Sequence, residues 1–358
     1  MIHRSTIIPL YIGFACAPEG NESSFDLNQK YDVIQATVSM DYAIGTLSTI
    51  NRDDDSMYED ISAISGDPAL SYDGRYLWQF NRYRYDTLRK YDPQNLSYPI
   101  QEISLQDESN ASSNPQDVVQ CAGKIFVSQH DRTEILILDP ESMSNIGEIS
   151  LLDFIDEDGS PEAASIITTD NQQLYVGLQR LNRNNGWNSD GSVIVHIDCE
   201  EEIIRNHISF GADIRLYQEQ EKIWVSTSPI ADQKGGLFVL NEDLSLEQHI
   251  ELEDKKILDV TSHQENMFFI TLDNDLGQQE LFCLEKDDGA LVSVQHFEEY
   301  LTFITSDMNA IWFGAHWGWN NPAEAKYGTH IWSFEGCAVQ EKKHLFGDLA
   351  PVDMVFLQ

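Results

Sequence analysis

Apolar and aromatic residues alternate with polar ones in short runs along most of this chain, and the runs come in pairs. Clear pairs are "IFVSQHDRTEILILDP" (125–140), "LYVGLQRLNRNNGWNSDGSVIVHID" (174–198) and "IWVSTSPIADQKGGLFVLNED" (223–243). The same form returns in "VIQATVSMDYAIGTLSTIN" (33–51), "YLWQFNRYRYDTLRKYDP" (76–93), "MFFITLDNDLGQQELFCLEKDDG" (267–289) and "IWFGAHWGWNNPAEAKYGTHIWSFEG" (311–336). A strand sends successive side chains to opposite faces, so each pair reads as a hairpin around a polar insert.

A further short run and a tight turn precede most pairs, as in "PALSYDGRYLW", "DVVQCAGKIFV", "SIITTDNQQLYV", "DVTSHQENMFFI" and "TFITSDMNAIWF". Asp-Gly, Ala-Gly, Asp-Asn and Glu-Asn stand where such turns need residues tolerant of left-handed backbone. A fourth run follows, such as "SNIGEISL" or "SLEQHIEL". Four strands per unit, recurring every 43–51 residues, is the period of a propeller blade. Seven units fit. The first lacks an inner strand, and the closing "APVDMVFLQ" is a strand with no unit after it. Placing Ala350–Leu357 in the first blade completes it and leaves no open edge between first and last blades. The expected fold is therefore all-β, one seven-bladed β-propeller over 31–358.

Charge narrows the partners. The chain has 358 residues, with 60 Asp and Glu against 22 Lys and Arg, a formal net charge of −38. Nucleic acid and anionic membranes are bound through basic clusters, so neither is an expected partner. The excess of acid fits solubility, a salty habitat or cation binding, Ca²⁺ included. At the start, "MIHRSTIIPLYIGFAC" has a basic opening and then an apolar run too short to span a bilayer. It suits an export signal over 1–16, and a small residue before Cys16 resembles a lipobox, although Gly13 stands where that motif has Leu, Val or Ile. Lipidation at Cys16, a polar tether over 17–30, and a periplasmic or cell-surface location are the expectations. An ordinary secretory signal is the other reading. Cys121, Cys199, Cys283 and Cys337 then remain, with three connectivities open alongside reduced thiols.

The residues "GTLSTIN" (45–51), "GDPALSYDGRYLWQFNRY" (66–83), "NPQDVV" with "ILILDP", and above all 155–198 resemble the exported YVTN-type β-propeller lipoproteins of proteobacteria, myxobacteria-like ones in particular. That resemblance is clearest over 33–200. It implies a seven-bladed propeller on the cell envelope and no assigned reaction.

In an antiparallel blade with strands A to D running outward from the channel, the D-to-A crossovers and B-to-C inserts share one rim. Those are the long, varied segments here, and such loops on a rigid scaffold are where binding sits. The fourth insert offers Arg180, Arg183, Asn185 and Trp187; the seventh offers His316, Trp317, Trp319, Asn320 and Tyr327. Indole faces with Asn, Arg and His donors suit carbohydrate or peptide contacts. The bland alternative is loops packed on one another. Near the start of strand A, Asp67, Asp117, Glu162, Asp213, Asp259 and Asp353 recur in six blades. They would either converge at the channel mouth around a cation or each accept a backbone N–H locally. A looser Ca²⁺ loop through Asp156, Asp158 and Glu162 is a separate candidate, since Phe154 stands where an EF-hand has its first ligand. No GxGxxG, Walker loop, HExxH or GxSxG occurs. The leading expectation is a non-catalytic, monomeric envelope propeller binding a carbohydrate or protein partner on its loop-bearing rim. A polysaccharide hydrolase or lyase on the same scaffold is the alternative, and a purely structural surface protein the second.

Overall fold

A computed structural model describes residues 31–357, apart from 107–110, 170–171, 190, 212, 220–221, 229–234, 253–254, 274–276, 286–288 and 319–324. The expected signal, the tether and Cys16 lie outside the described residues, as do Trp319 and Asn320. Seven four-stranded antiparallel sheets make up the ring. In the first, Ala350–Phe356 pairs with Val33–Val38, so the C-terminal strand supplies strand A of the first blade and closes the circle. The described helical pieces are two single 3-10 turns, Leu152–Phe154 and Arg183–Asn185.

No blade has a core of its own. Strands B and C are buried on both faces, as Val33–Val38 and Gly45–Ile50 show along their whole length. The outer strands alternate with solvent, as in Ile203–Phe210. Apolar clusters sit between blades: Ile34, Leu47, Leu77 and Tyr91 join the first and second. Phe126, Ile135, Val176 and Val195 join the third and fourth, and Val33, Phe303 and Trp312 join the seventh to the first. Two disulfides add covalent joints between neighbours. Cys121–Cys199 links blades three and four, and Cys283–Cys337 links six and seven.

A second ring of contacts lines the channel, and it reaches from each inner strand to the next. Leu70 N donates to Asp353 Oδ2 (2.7 Å), and Ser71 Oγ donates to Val118 O (3.3 Å). Ile166 N donates to Asp117 Oδ2 (3.3 Å), and Leu216 N donates to Ser165 Oγ (3.0 Å). Arg215 Nη1 reaches Leu258 O (3.0 Å), Ile304 N reaches Asp259 Oδ2 (2.9 Å), and Thr302 Oγ1 reaches Pro351 O. Register shifts fall at Pro115/Asp117, Ile257/Asp259, Leu301/Phe303 and opposite Pro351 and Asp353. A bulge re-aims side chains, and here it turns these toward the adjoining blade.

Removing 350–358 should uncover the edge of Val33–Val38 and half of one interblade cluster. We expect such a chain to lose its single cooperative calorimetric transition and to self-associate on light scattering. An unchanged monomer with an unchanged melting temperature would show that closure is dispensable.

Candidate functional site

The crossovers and B–C inserts share one face, and a cavity of about 440 Å³ opens there at the channel mouth. Strand ends place its lining. Asp67 and Asp117 stand at the entries to strand A of blades two and three, Arg82, His130 and Gln179 at the ends of strand B, and Arg215 at the start of strand A in blade five. A larger cavity, about 660 Å³, lies on the opposite face among the tight turns around Gly74 and Gly123. The mouth is polar and bears two guanidinium groups in a chain poor in basic residues. Arg82 Nη2 pairs with Asp67 Oδ1 at 2.6 Å. Arg215 is open to the channel and spends one N–H on Leu258 O.

Around this mouth the same face exposes Tyr42, Tyr83, Tyr85, Trp187 and Tyr300. Tyr42 is held in place by backbone crowding. A Cβ at Gly66 would come within 1.7 Å of Tyr42 O, so the second crossover can pass beneath it only as glycine. Guanidinium groups lie over two of these rings, Arg84 over Tyr83 (4.8 Å) and Arg183 over Trp187 (5.3 Å).

The six carboxylates of strand A take up two kinds of position. Asp117, Asp259 and Asp353 occupy equivalent places in the channel wall. In each, Oδ1 accepts the following residue's N–H and Oδ2 accepts the next blade's. Burial pushes Asp117 up to about 7 and Asp259 and Asp353 to about 6, despite those hydrogen bonds. The other three lie off this pattern. Asp67 holds Arg82; Asp213 is half-buried beside Gln179 and raised by desolvation; Glu162 belongs to the fourth crossover.

The loop candidates also divide. Arg180 Nη1 donates to Gly191 O (2.9 Å) and closes its own insert. Asn185 O accepts from Asn188 Nδ2 (2.7 Å), and Trp187 alone of this group presents its ring to solvent, at 55% exposure. The insert forms a two-stranded hairpin, Leu181–Asn182 with Asn188–Ser189, and Arg183 ties it to Asp131 of the third blade. In blade seven His316 is buried against Tyr327 (4.9 Å between centroids). Trp317 packs on His330 and Phe346. His330, also buried, lies 3.0 Å from Glu299 Oε1.

Next to the mouth, the fourth crossover gathers Asp156, Asp158 and Glu162, with one carboxylate oxygen from each within 4.8 Å of the others. Asp158 N donates to Asp156 Oδ1 (2.8 Å), and Gly159 (φ 90°) turns the chain back. Arg183 N donates to Asp158 Oδ2 (2.8 Å) and Leu181 N to Glu162 Oε2 (3.0 Å), so the cluster also anchors the hairpin. Burial, with Asp158 and Asp156 adding to it, pushes the Glu162 carboxyl up to about 8. Tyr42, Tyr83, Tyr85, Tyr300, Arg82 and Arg215 were not picked out from the sequence. Their one usable signal is position at the rim-side ends of strands once blades are assigned.

Neither a protein-family model nor a curated protein sequence matches this chain. Solved structures share the fold at low identity. A putative 6-phosphogluconolactonase from Bacteroides uniformis ATCC 8492 aligns at TM-score 0.63 and 9% identity, over 92% of this chain and 100% of that one. The dihydro-heme d1 dehydrogenase NirN, in complex with DHE, gives 0.56 at 12% identity, over 90% and 68%. The β-propeller domain of Myceliophteria thermophila Cps50 (Swd1) gives 0.53 at 13%, over 89% and 96%. These establish the propeller, and the presence of enzymes among such neighbours assigns no activity to this chain.

Asp117→Asn leaves one of two backbone N–H groups facing an amide, and we expect a loss of about 1–3 kcal/mol that Ca²⁺ does not alter. Unfolded Asp titrates near 3.9 and Glu near 4.3, so raised carboxyls hold extra protons in the native state and lose that stabilisation as pH rises through the native value. With Asp117 at about 7 and Glu162 at about 8, urea stability in chelator should fall between pH 6.5 and 8.5. Asp117→Asn should flatten that slope. Stability that climbs across this interval would contradict the assignment.

Proposed function

We propose that this protein is an exported, envelope-held propeller of the YVTN type that binds carbohydrate on its loop-bearing face, without chemistry of its own. The observation that carries the reading is the set of exposed rings, Tyr42, Tyr83, Tyr85, Trp187 and Tyr300, around a polar cavity with Arg82 and Arg215. Sugar rings offer apolar faces to aromatic platforms and hydroxyls to fixed donors, which is the combination present here. Against catalysis stands the use of the channel carboxylates: Asp117, Asp259 and Asp353 each commit both oxygens to backbone N–H groups. General acid or nucleophile work would need at least one of them released. Export is supported by the signal-like first 16 residues and by two disulfides, which persist in oxidising compartments.

Glycan and peptide arrays probed with the full chain, followed by calorimetry on the hits, test the binding reading. Trp187→Ala and Tyr83→Ala should each weaken a bound oligosaccharide about tenfold, the equivalent of 1.4 kcal/mol. Binding untouched by the double variant would remove the rim as the site. Capture of peptides alone would change the ligand class, and shortened products would turn the reading to hydrolysis or lysis. Anchoring is tested separately. Labelled fatty acid should be incorporated into the expressed chain and lost in Cys16→Ala, and an unlabelled chain would leave export without a lipid.

A further inference from the structure

Glu162 is poorly accommodated where it stands on the rim. It is fully buried, its backbone is left-handed (φ 45°), and Oε1 has no hydrogen-bond partner among the described residues. Burial of a carboxylate oxygen without a partner is costly, and native proteins meet that cost with a counter-charge or a metal. That side chain shares the three-carboxylate cluster with Asp156 and Asp158. One guanidinium stands nearby. Arg183 lies 3.8 Å from Glu162 Oε1 and 3.8 Å from Asp158 Oδ2, beyond hydrogen-bond reach of either, while it is engaged by Asp131. Among the described residues, the half-exposed Arg183 is thus shared by three carboxylates, Asp131, Asp158 and Glu162.

We propose that Asp156, Asp158 and Glu162 bind Ca²⁺, and that the ion fastens the fourth crossover to the hairpin carrying Trp187. The donors are all oxygen, which selects a hard cation over zinc or copper. They come from one short turn, "DEDGSPE" (156–162), and calcium tolerates an irregular shell that carbonyls or water would complete. Mg²⁺ demands a smaller, near-octahedral set and sheds water reluctantly, so it should compete weakly. Because Leu181 N and Arg183 N already bond to Glu162 and Asp158, metal bound there would be transmitted directly to the 181–189 insert. This inference stands apart from the identity of whatever the rim binds.

Isothermal calorimetry of the chelator-treated full chain with CaCl₂ should show one site per chain, with a dissociation constant of about 10⁻⁴ M, in the range of extracellular modules. Ca²⁺ should also raise the melting temperature. Asp158→Asn and Asp156→Asn, both in the turn, should each weaken binding at least tenfold, and Glu162→Gln more. Melting in chelator checks that each variant folds. Arg183→Ala separates the ion from the guanidinium. With a Ca²⁺ site, affinity should rise several-fold, and Ca²⁺ should restore any stability lost. If Arg183 alone neutralises the cluster, the variant is destabilised and Ca²⁺ does not rescue it, which overturns the proposal. So would a wild-type chain that takes up no Ca²⁺ at millimolar concentration, or binding that survives the Asp156→Asn/Asp158→Asn double variant. Equal affinity for Mg²⁺ would overturn the assignment to calcium.

Discussion

Everything in this molecule depends on blades lacking cores of their own. A four-stranded sheet with two apolar faces must be covered on both, and here each cover is another blade. A linear stack would leave two uncovered faces and two unpaired edges. The ring removes the faces, and pairing Val33–Val38 with Ala350–Phe356 ties the first and last parts of the chain into one sheet. Strand B of the first blade can therefore be buried throughout without becoming an aggregation edge.

The channel wall solves a second problem raised by the same geometry. Inner strands converge at the axis, and the joints there are polar hydrogen bonds. Six of the seven use short oxygen-bearing side chains, Asp or Ser or Thr, and one uses the long Arg215. Ser71 completes the circuit between blades two and three. Carboxylates suit three of these joints because two oxygens can accept from two strands at once. Burial in the lumen raises their affinity for protons, and the two accepted N–H groups offset it only in part.

The architecture was legible because period, turn chemistry and closure all follow from backbone requirements that local sequence must satisfy. The glycine and asparagine turns, and the unpaired strand at 350–357, carry that information without tertiary knowledge. Disulfide pairing was not legible. Cys121 and Cys199 are 78 residues apart and meet only because adjacent blades bring a turn and a strand end together. The rim was legible as a face and less so as a set of residues. Trp187 reads as exposed and is, whereas His316 and Trp317 have the same composition signal but are packed against Tyr327, His330 and Phe346. Local sequence does not say toward which side a strand end points.

The fourth blade departs from the pattern of the wall in a way that links scaffold to rim. Its register shifts over a wider interval, Ala163 to Ile166, and the joint to blade five falls to Ser165. The acidic residue of that blade is thereby released from wall duty. Glu162 instead turns back into its own crossover, where it accepts from Leu181 and meets Asp156 and Asp158. A repeat fold permits such a substitution because each joint needs one acceptor and serine can supply it. The spare carboxylate then stands at the root of the one described insert that forms its own hairpin and carries an exposed tryptophan. The joints of the ring already differ in the side chain each uses, and a serine at this one is enough to leave a charged cluster beneath that rim loop while the ring itself stays closed.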